Sequence, residues 1–423
     1  MPSLAIEGGT PVRTSPFPPR VLVGPEEIDA VHALLEKERT TGGGFDRYGG
    51  EHVEAYEREF AAYHDVGFAT AVSSGTAAVH TALSALRLDI AQEVISSPVT
   101  DPGGVAPILW NNCIPVFADA DPDTMNISAE SIAERVTDRT RAVIVTHLAG
   151  QPADMDPIME VARAQGLMVI EDCSQAHGAL YKGRLVGTRG DLAAFSLMGG
   201  KHHTSGGQGG MVITNDEGIY WQAKRFADRG KPFNSIATSN LFLGLNYRMS
   251  ELEAVIGRVQ LRKLDAVLAR RRGLVEALRT RISDLAAFRL GRIIDGAVSS
   301  YWFILVRVDA EALTVRKEDV ARALAAEGVP CDVSYDHIVA EGDWVRHRAT
   351  YGTSGCPWTC PLYGREISYE GRLPNARLAI DRHLVLRLHE GCTMQEVADM
   401  ADALRKVESA CLKPRAGPAL RGS

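Results

Sequence analysis

The chain has no apolar stretch approaching the roughly 18–20 residues needed to span a bilayer, so no membrane-crossing helix is expected. It has no excess of basic charge. Its 46 Lys and Arg against 53 Asp and Glu leave a net charge of −7. A nucleic-acid binder presents a basic face, and that class is not expected here. A small anionic ligand needs only a local positive pocket, so this balance does not oppose phosphate binding. The opening Met1-Pro-Ser-Leu-Ala-Ile6 lacks a basic region followed by an apolar run, and no secretory signal is expected. Cysteine is sparse, scattered and odd in number: Cys113, Cys173, Cys331, Cys356, Cys360, Cys392 and Cys411. That pattern fits reduced thiols in a cytoplasmic enzyme better than a disulfide framework. Cys356 and Cys360 are spaced one residue wider than a zinc knuckle, and no second pair follows, so no metal site is expected. There is no internal repeat.

What the chain does have is length and alternation. At 423 residues it exceeds the size at which one core stops growing, so a large and a smaller domain are expected. Its 45% apolar and 23% charged residues are ordinary for a globular protein. Gly24-Pro25-Glu-Glu starts a first helix, and Thr40-Thr-Gly-Gly-Gly44 ends it. Val53, Tyr56, Phe60 and Tyr63 mark a second. Strands are then expected at 66–72, 93–97, 114–118, 141–147, 167–171, 191–196 and 210–214. Helices are expected at 75–87, 103–111, 128–136, 156–165 and 216–229. This alternation predicts a mostly parallel sheet covered on both faces. Residues 231–247 read as loop, and a long helix follows over 248–282. Beyond it, strands at 301–308, 329–334 and 383–388 mix with helices at 316–327, 373–380 and 393–410. The expected division is an arm over 1–24, a large α/β domain over 25–247, the connecting helix, a smaller α+β domain over 283–412 and a disordered tail over 413–423.

Three local patterns carry chemistry. Ser73-Ser-Gly-Thr-Ala-Ala78 follows a strand and opens a helix, which makes either a phosphate cradle or an ordinary helix cap. Asp172 ends the apolar run Leu167-Met-Val-Ile170, where open α/β sheets place their ligands. Gln175 and His177 follow it. Lys201 lies in Phe195-Ser-Leu-Met-Gly-Gly-Lys-His-His-Thr-Ser-Gly-Gly-Gln-Gly-Gly210. Alone, it reads better as a solvated loop lysine. Paired with a strand-end acid, it looks like the covalent anchor of pyridoxal phosphate, with the acid tuning the ring nitrogen. Ser196 could join the phosphate ligands or simply be a buried serine satisfied by backbone.

The order of these patterns is that of a fold-type I pyridoxal phosphate enzyme. Gly67-Phe-Ala-Thr-Ala-Val-Ser-Ser-Gly-Thr-Ala-Ala78, Ile114-Pro-Val-Phe-Ala-Asp-Ala-Asp-Pro-Asp-Thr124 and His147-Leu-Ala-Gly-Gln-Pro-Ala-Asp-Met155 resemble the DegT/DnrJ/EryC1/StrS aminotransferase family. So do Glu171-Asp-Cys-Ser-Gln-Ala-His-Gly178, Gly244-Leu-Asn-Tyr-Arg-Met-Ser-Glu-Leu252 and Arg387-Leu-His-Glu-Gly391. The resemblance runs from about residue 4 to about 410. It implies an aspartate-aminotransferase-like fold, with Lys201 as the cofactor lysine and Asp172 as partner of the pyridine nitrogen. Gln175 would contact the ring hydroxyl. Ser74, Gly75, Thr76 and Ser196 would hold the phosphate, and Asp101 would lie against the cofactor. The family forms homodimers with shared sites, so Asn246 would reach the neighbouring subunit's phosphate. The implied reaction moves an amino group from glutamate or glutamine to a keto sugar or keto cyclitol.

Three features depart from the family pattern. Asp101 stands where an aromatic residue usually covers the ring. The loop Ser205-Gly-Gly-Gln-Gly-Gly210 is one residue longer than usual, with Gln208 where glutamate is common. His202-His203 is similar to the family's sugar dehydrases, which put histidine in place of the lysine. A pyridoxal phosphate dehydrase or other lyase is therefore the alternative reading, and a non-catalytic binding protein is a third.

Overall fold

The computed structural model describes residues 3–42, 44–335 and 337–414. Two helices lead in: α1 (Pro25–Thr41) and α2 (Glu51–His64). Pro25 sits in the first turn of α1, and the Glu27 carboxylate closes that turn by accepting from Gly24 N–H at 2.7 Å. Then come β1 (Phe68–Val72), α3 (Gly75–Ala85), β2 (Glu93–Ser96), α4 (Ala106–Trp110) and β3 (Ile114–Phe117). They are followed by α5 (Ala129–Arg135), β4 (Thr140–Thr146), α6 (Met155–Gln165) and β5 (Met168–Asp172). A small hairpin of β6 (Leu180–Tyr181) and β7 (Arg184–Leu185) precedes β8 (Leu192–Ser196), β9 (Gly210–Thr214) and α7 (Glu217–Phe226).

Seven strands form the large sheet in the order β1-β9-β8-β5-β4-β2-β3. It is α/β and mostly parallel; only β9 runs against its two neighbours, β1 and β8. The strands are short apolar runs buried on both faces, as a covered parallel sheet requires. Their expected positions match to within two residues.

Helix α8 (Glu251–Arg281) opens with Ser250 and Glu253 in a reciprocal cap. Its first half packs Leu261, Leu264 and Leu268 against the large sheet's core. Its second half gives Leu274, Val275 and Leu278 to a separate core. That second core contains β10 (Phe288–Leu290), β12 (Ile304–Val308), α9 (Lys317–Ala326), β13 (Cys331–Asp332), β14 (His383–Leu386) and α12 (Met394–Cys411). The four-stranded sheet here runs β10-β12-β14-β13 and is antiparallel. A short β11 (Ala297–Val298) pairs with β6 instead.

Three expectations change. The strand expected from 301 begins only at Ile304, because Tyr301 takes a left-handed backbone with φ 51°. The strand expected over 329–334 shrinks to two residues. The helix expected over 103–111 divides into a 3-10 turn, Pro102–Gly104, and α4, because Gly103, Gly104 and Pro107 make one continuous helix costly. The expected tail lies mainly at 415–423, outside the described residues.

Between β13 and β14, an irregular segment carrying α10 (Asp343–Arg346) and followed by α11 (Pro374–Arg382) lies over β3, the sheet's edge strand. Three tyrosine hydroxyls tie it down. Tyr351 donates to Asn112 Oδ1 at 2.7 Å, Tyr363 to Glu93 Oε1 at 3.0 Å and Tyr369 to the Pro115 carbonyl at 2.5 Å.

Candidate active site

The site forms where β1, β5 and β8 end. After Val72 the chain turns straight into α3, and Ser74 Oγ caps it by accepting from Ala77 N–H at 3.1 Å. The cap is worth about 1 kcal/mol. It leaves the Gly75 and Thr76 N–H groups at the positive end of the helix, free for an anion. Gly75 is pressed against β8: a Cβ there would lie 2.6 Å from Ser196 Cβ. Glycine therefore lets the phosphate-type turn reach Ser196.

Asp172 ends β5 and is buried, with Oδ1 accepting from Ser174 N–H at 3.1 Å. Burial raises its pKa, while Ser174 and the charge of Lys201 pull it back. Lys201 is 7% exposed. Burial lowers its pKa to about 8, against the opposing charges of Asp172 and Asp101. Its Nζ sits 3.6 Å from the centroid of the Trp302 ring. Gln175 is fixed at both ends of its amide. Oε1 accepts from Ala149 N–H at 2.9 Å, and Nε2 donates to Tyr335 Oη at 2.9 Å.

Eight predicted residues meet in one cavity of about 170 Å³: Ser74, Gly75, Thr76, Asp101, Asp172, Gln175, Ser196 and Lys201. Asn246 does not. It is exposed, on a stretch that bridges to Asp228. Sequence reasoning missed Thr100, Gly104, Met198 and Trp302, which also line the cavity, and Tyr335, which orients Gln175. Gly104 packs close enough that a Cβ would stand 3.2 Å from Asp172 Oδ2. Asp101 is exposed, and its Oδ1 accepts from Gly103 N–H at 2.8 Å. Gln208 reaches the same cavity from the lengthened loop.

The histidines beside Lys201 face elsewhere. His202 Nε2 bonds the Ser300 carbonyl at 2.9 Å. His203 Nε2 bonds the Gly257 carbonyl at 2.9 Å and Tyr56 Oη at 2.8 Å. His177 Nε2 donates to the Ser196 carbonyl at 2.7 Å, which holds the end of β8 in place. His147, Glu171 and Cys173 cluster as metal ligands would, but the bonds of His147 and Glu171 are committed. His147 Nδ1 accepts from Ala153 N–H at 3.0 Å, so Nε2 donates to Glu171 Oε2 at 2.9 Å. No ring lone pair remains for a metal. A larger groove of about 660 Å³, around Glu341, Arg348 and Arg377, lies away from all of these groups.

The residues present fit a phosphorylated pyridine aldehyde. A helix N-terminus and hydroxyls suit the phosphate, a buried carboxylate suits the ring nitrogen, and a primary amine of lowered basicity suits the aldehyde. Fold and cavity together define a fold-type I, pyridoxal phosphate-dependent enzyme.

The comparisons with known proteins agree. Residues 24–405 match the DegT/DnrJ/EryC1/StrS aminotransferase family. The L-glutamine:2-deoxy-scyllo-inosose aminotransferase of Streptomyces fradiae is 32% identical over 94% of this chain and 95% of its own. The GDP-perosamine synthase of Escherichia coli O157:H7 is 35% identical over 61% of this chain and 70% of its own. The structure of an aminotransferase from Psychrobacter cryohalolentis superposes with a TM-score of 0.81 at 31% identity, covering 93% of this chain and 99% of that one. The chain belongs to the DegT/DnrJ/EryC1/StrS aminotransferase family.

Proposed function

We propose that this enzyme moves an amino group from glutamine or glutamate to a keto group on a sugar or cyclitol. The observation that carries the reading is the meeting of Lys201, Asp172 and the start of α3 in one cavity. The names of relatives that use L-glutamine and inosose support the donor and acceptor classes. Lys201 would anchor the cofactor and then, once free, carry a proton between the substrate carbon and the cofactor; an amine of pKa about 8 suits that exchange near neutral pH. Asp172 would keep the ring nitrogen protonated. Ser74, Gly75, Thr76 and Ser196 would hold the phosphate, and Gln175 would orient the ring. When bound, the cofactor supplies an electron sink for the carbon that loses its proton.

The site would be completed in a homodimer, with Asn246 reaching the partner's phosphate. Its exposure, and its distance from its own chain's cavity, support that role. The proposed division keeps the arm at 1–24, the cofactor domain at 25–247, the connector at 248–282 and the small domain at 283–412, in a cytoplasmic enzyme. The dehydrase alternative is less supported, since Lys201 is present and His202 and His203 are engaged by carbonyls.

Purified protein loaded with pyridoxal phosphate should be incubated with glutamine and a panel of keto sugars and keto cyclitols. An aminated product detected by mass supports the proposal. Loss of a hydroxyl from a sugar, with no amine formed, replaces it with the dehydrase. A mixture of Lys201→Ala chains with chains bearing Asn246→Trp should regain part of its activity. Absence of rescue in proven hybrids places Asn246 within its own subunit's chemistry.

A further inference from the structure

Gly200, the residue before Lys201, has its carbonyl held by two donors. Arg20 Nη1 donates to its carbonyl at 3.1 Å, and Trp302 Nε1 donates to the same carbonyl at 2.9 Å. Trp302 is also the ring that lies against Lys201 Nζ. The backbone and the amine of the lysine are thus tied to one indole. That indole is fixed in turn: Arg271 Nη1 donates to the Tyr301 carbonyl at 2.8 Å and to the Trp302 carbonyl at 3.3 Å.

One carboxylate joins the two arginines. Glu390 Oε1 takes Arg20 Nε at 2.7 Å, and Glu390 Oε2 takes Arg271 Nε at 2.8 Å. All three side chains are at least four-fifths buried, at 15%, 14% and 3% exposure for Arg20, Glu390 and Arg271. The chain bends into this node at a cost, because Tyr301 sits at φ 51°. Two arginines on one carboxylate, far apart in sequence, are an expensive way to fill space. Their donors converge on the two residues that flank the lysine amine.

We propose that Arg20, Glu390 and Arg271 form a positioning relay that sets the lysine amine for the chemistry, with Arg20 of the N-terminal arm as its outermost member. The proposal rests on Lys201 being the cofactor lysine. The relay does not touch the reacting atoms. It acts through Gly200 and Trp302, so its loss should displace the amine and admit water to it.

The test uses full-length protein loaded with pyridoxal phosphate. Arg20→Met should lower kcat by roughly ten- to a hundredfold, as a small misplacement of a reacting group does, with KM for both substrates within about twofold. The pH midpoint of the bound cofactor's visible absorbance should move upward, because the nitrogen that joins Lys201 to the cofactor, once better hydrated, holds its proton to higher pH. Arg20→Lys keeps the charge but not the fork, and should fall between. Arg13→Met is the control. Arg13 belongs to the same arm and pairs with Asp399 at 2.6 Å and Glu396 at 2.9 Å, away from the lysine loop. It should leave the absorbance midpoint in place. If Arg20→Met leaves the midpoint unmoved, or Arg13→Met moves it as far, the relay is only structural and the proposal fails. The absorbance readout needs no keto sugar, so failure to aminate any acceptor defeats the substrate reading without touching this one.

Discussion

Beneath Lys201 lie four buried histidines, His64, His177, His202 and His203, packed among Phe60, Phe195 and Tyr56; above it, Asp101, Asp172 and the start of α3 surround the cavity. The lower region is built of ionisable groups yet carries no charge. Burial holds His64 and His203 at about 4 and His177 and His202 well below their ordinary value. Each histidine has one nitrogen at a carbonyl and its other nitrogen without a partner. A proton added there would sit on a buried donor with no acceptor. The upper region is the reverse, with two carboxylates and an amine in partial contact with solvent. The rings themselves hold no charge, and the loop carrying Lys201 separates them from the carboxylates and amine of the cavity.

Acid should break that contrast first. The histidines are depressed in the folded state, while the unfolded chain takes up protons near pH 6.5. Their contribution to stability is therefore full above pH 6.5 and falls as pH drops from 6.5 toward 4, where the share of His64 and His203 levels off. Each histidine costs at most about 1.4 kcal/mol per pH unit in that window, so four cost at most about 5.6 kcal/mol between pH 6.5 and 5.5. Urea midpoints measured across this range should drop steeply; a flat profile would mean the lower region is wetter than its geometry says.

Lys201→Ala comes next. It should reduce turnover by about a thousandfold or more, roughly 4 kcal/mol, while the thermal midpoint shifts by only a few degrees. A large fall in the midpoint would show that the lysine holds the two regions together as well as reacting.

Asp172→Asn should cost about 2–3 kcal/mol of activation energy. It should also lower the Lys201 pKa further, because the charge opposing its depression is gone. In wild type, cofactor capture by the apoprotein should rise with a midpoint near pH 8; in the variant that midpoint should shift to lower pH. An upward shift would reverse the assigned roles.

Asp101→Asn is the smallest change. Its carboxylate is exposed and bonded to its own turn. Release of keto acid from the donor should fall by less than about threefold, within the range of exposed polar substitutions. A loss as large as that of Asp172→Asn would place Asp101 against the cofactor after all.

Strands of the large sheet were legible because each is an apolar run ended by a turn, and burial on both faces leaves little choice of position. Asp172, Ser196 and the 73–78 turn were legible for the same reason, since each ends or follows such a run. Trp302 was not. It stands about a hundred residues from Lys201, in a stretch that reads as strand until Tyr301 bends it out of one. Tyr335 and the segment around Tyr351 and Tyr369 were also missed, because hydroxyls that bond a distant carbonyl leave no periodic pattern. The β6–β7 hairpin pairs only two residues per strand, too short for alternation to register.

The tyrosines over β3 have a consequence for synthesis. An open edge strand is a template for pairing with other chains, and Pro115 and the 351–369 segment are what blunt this one. Yet Phe117 leaves the ribosome roughly 230 residues before Tyr351 does. At about 5–20 residues per second, the bare edge is exposed for some tens of seconds. During that interval the nascent chain depends on the ribosome and its chaperones for a cover that its own C-terminal third later supplies.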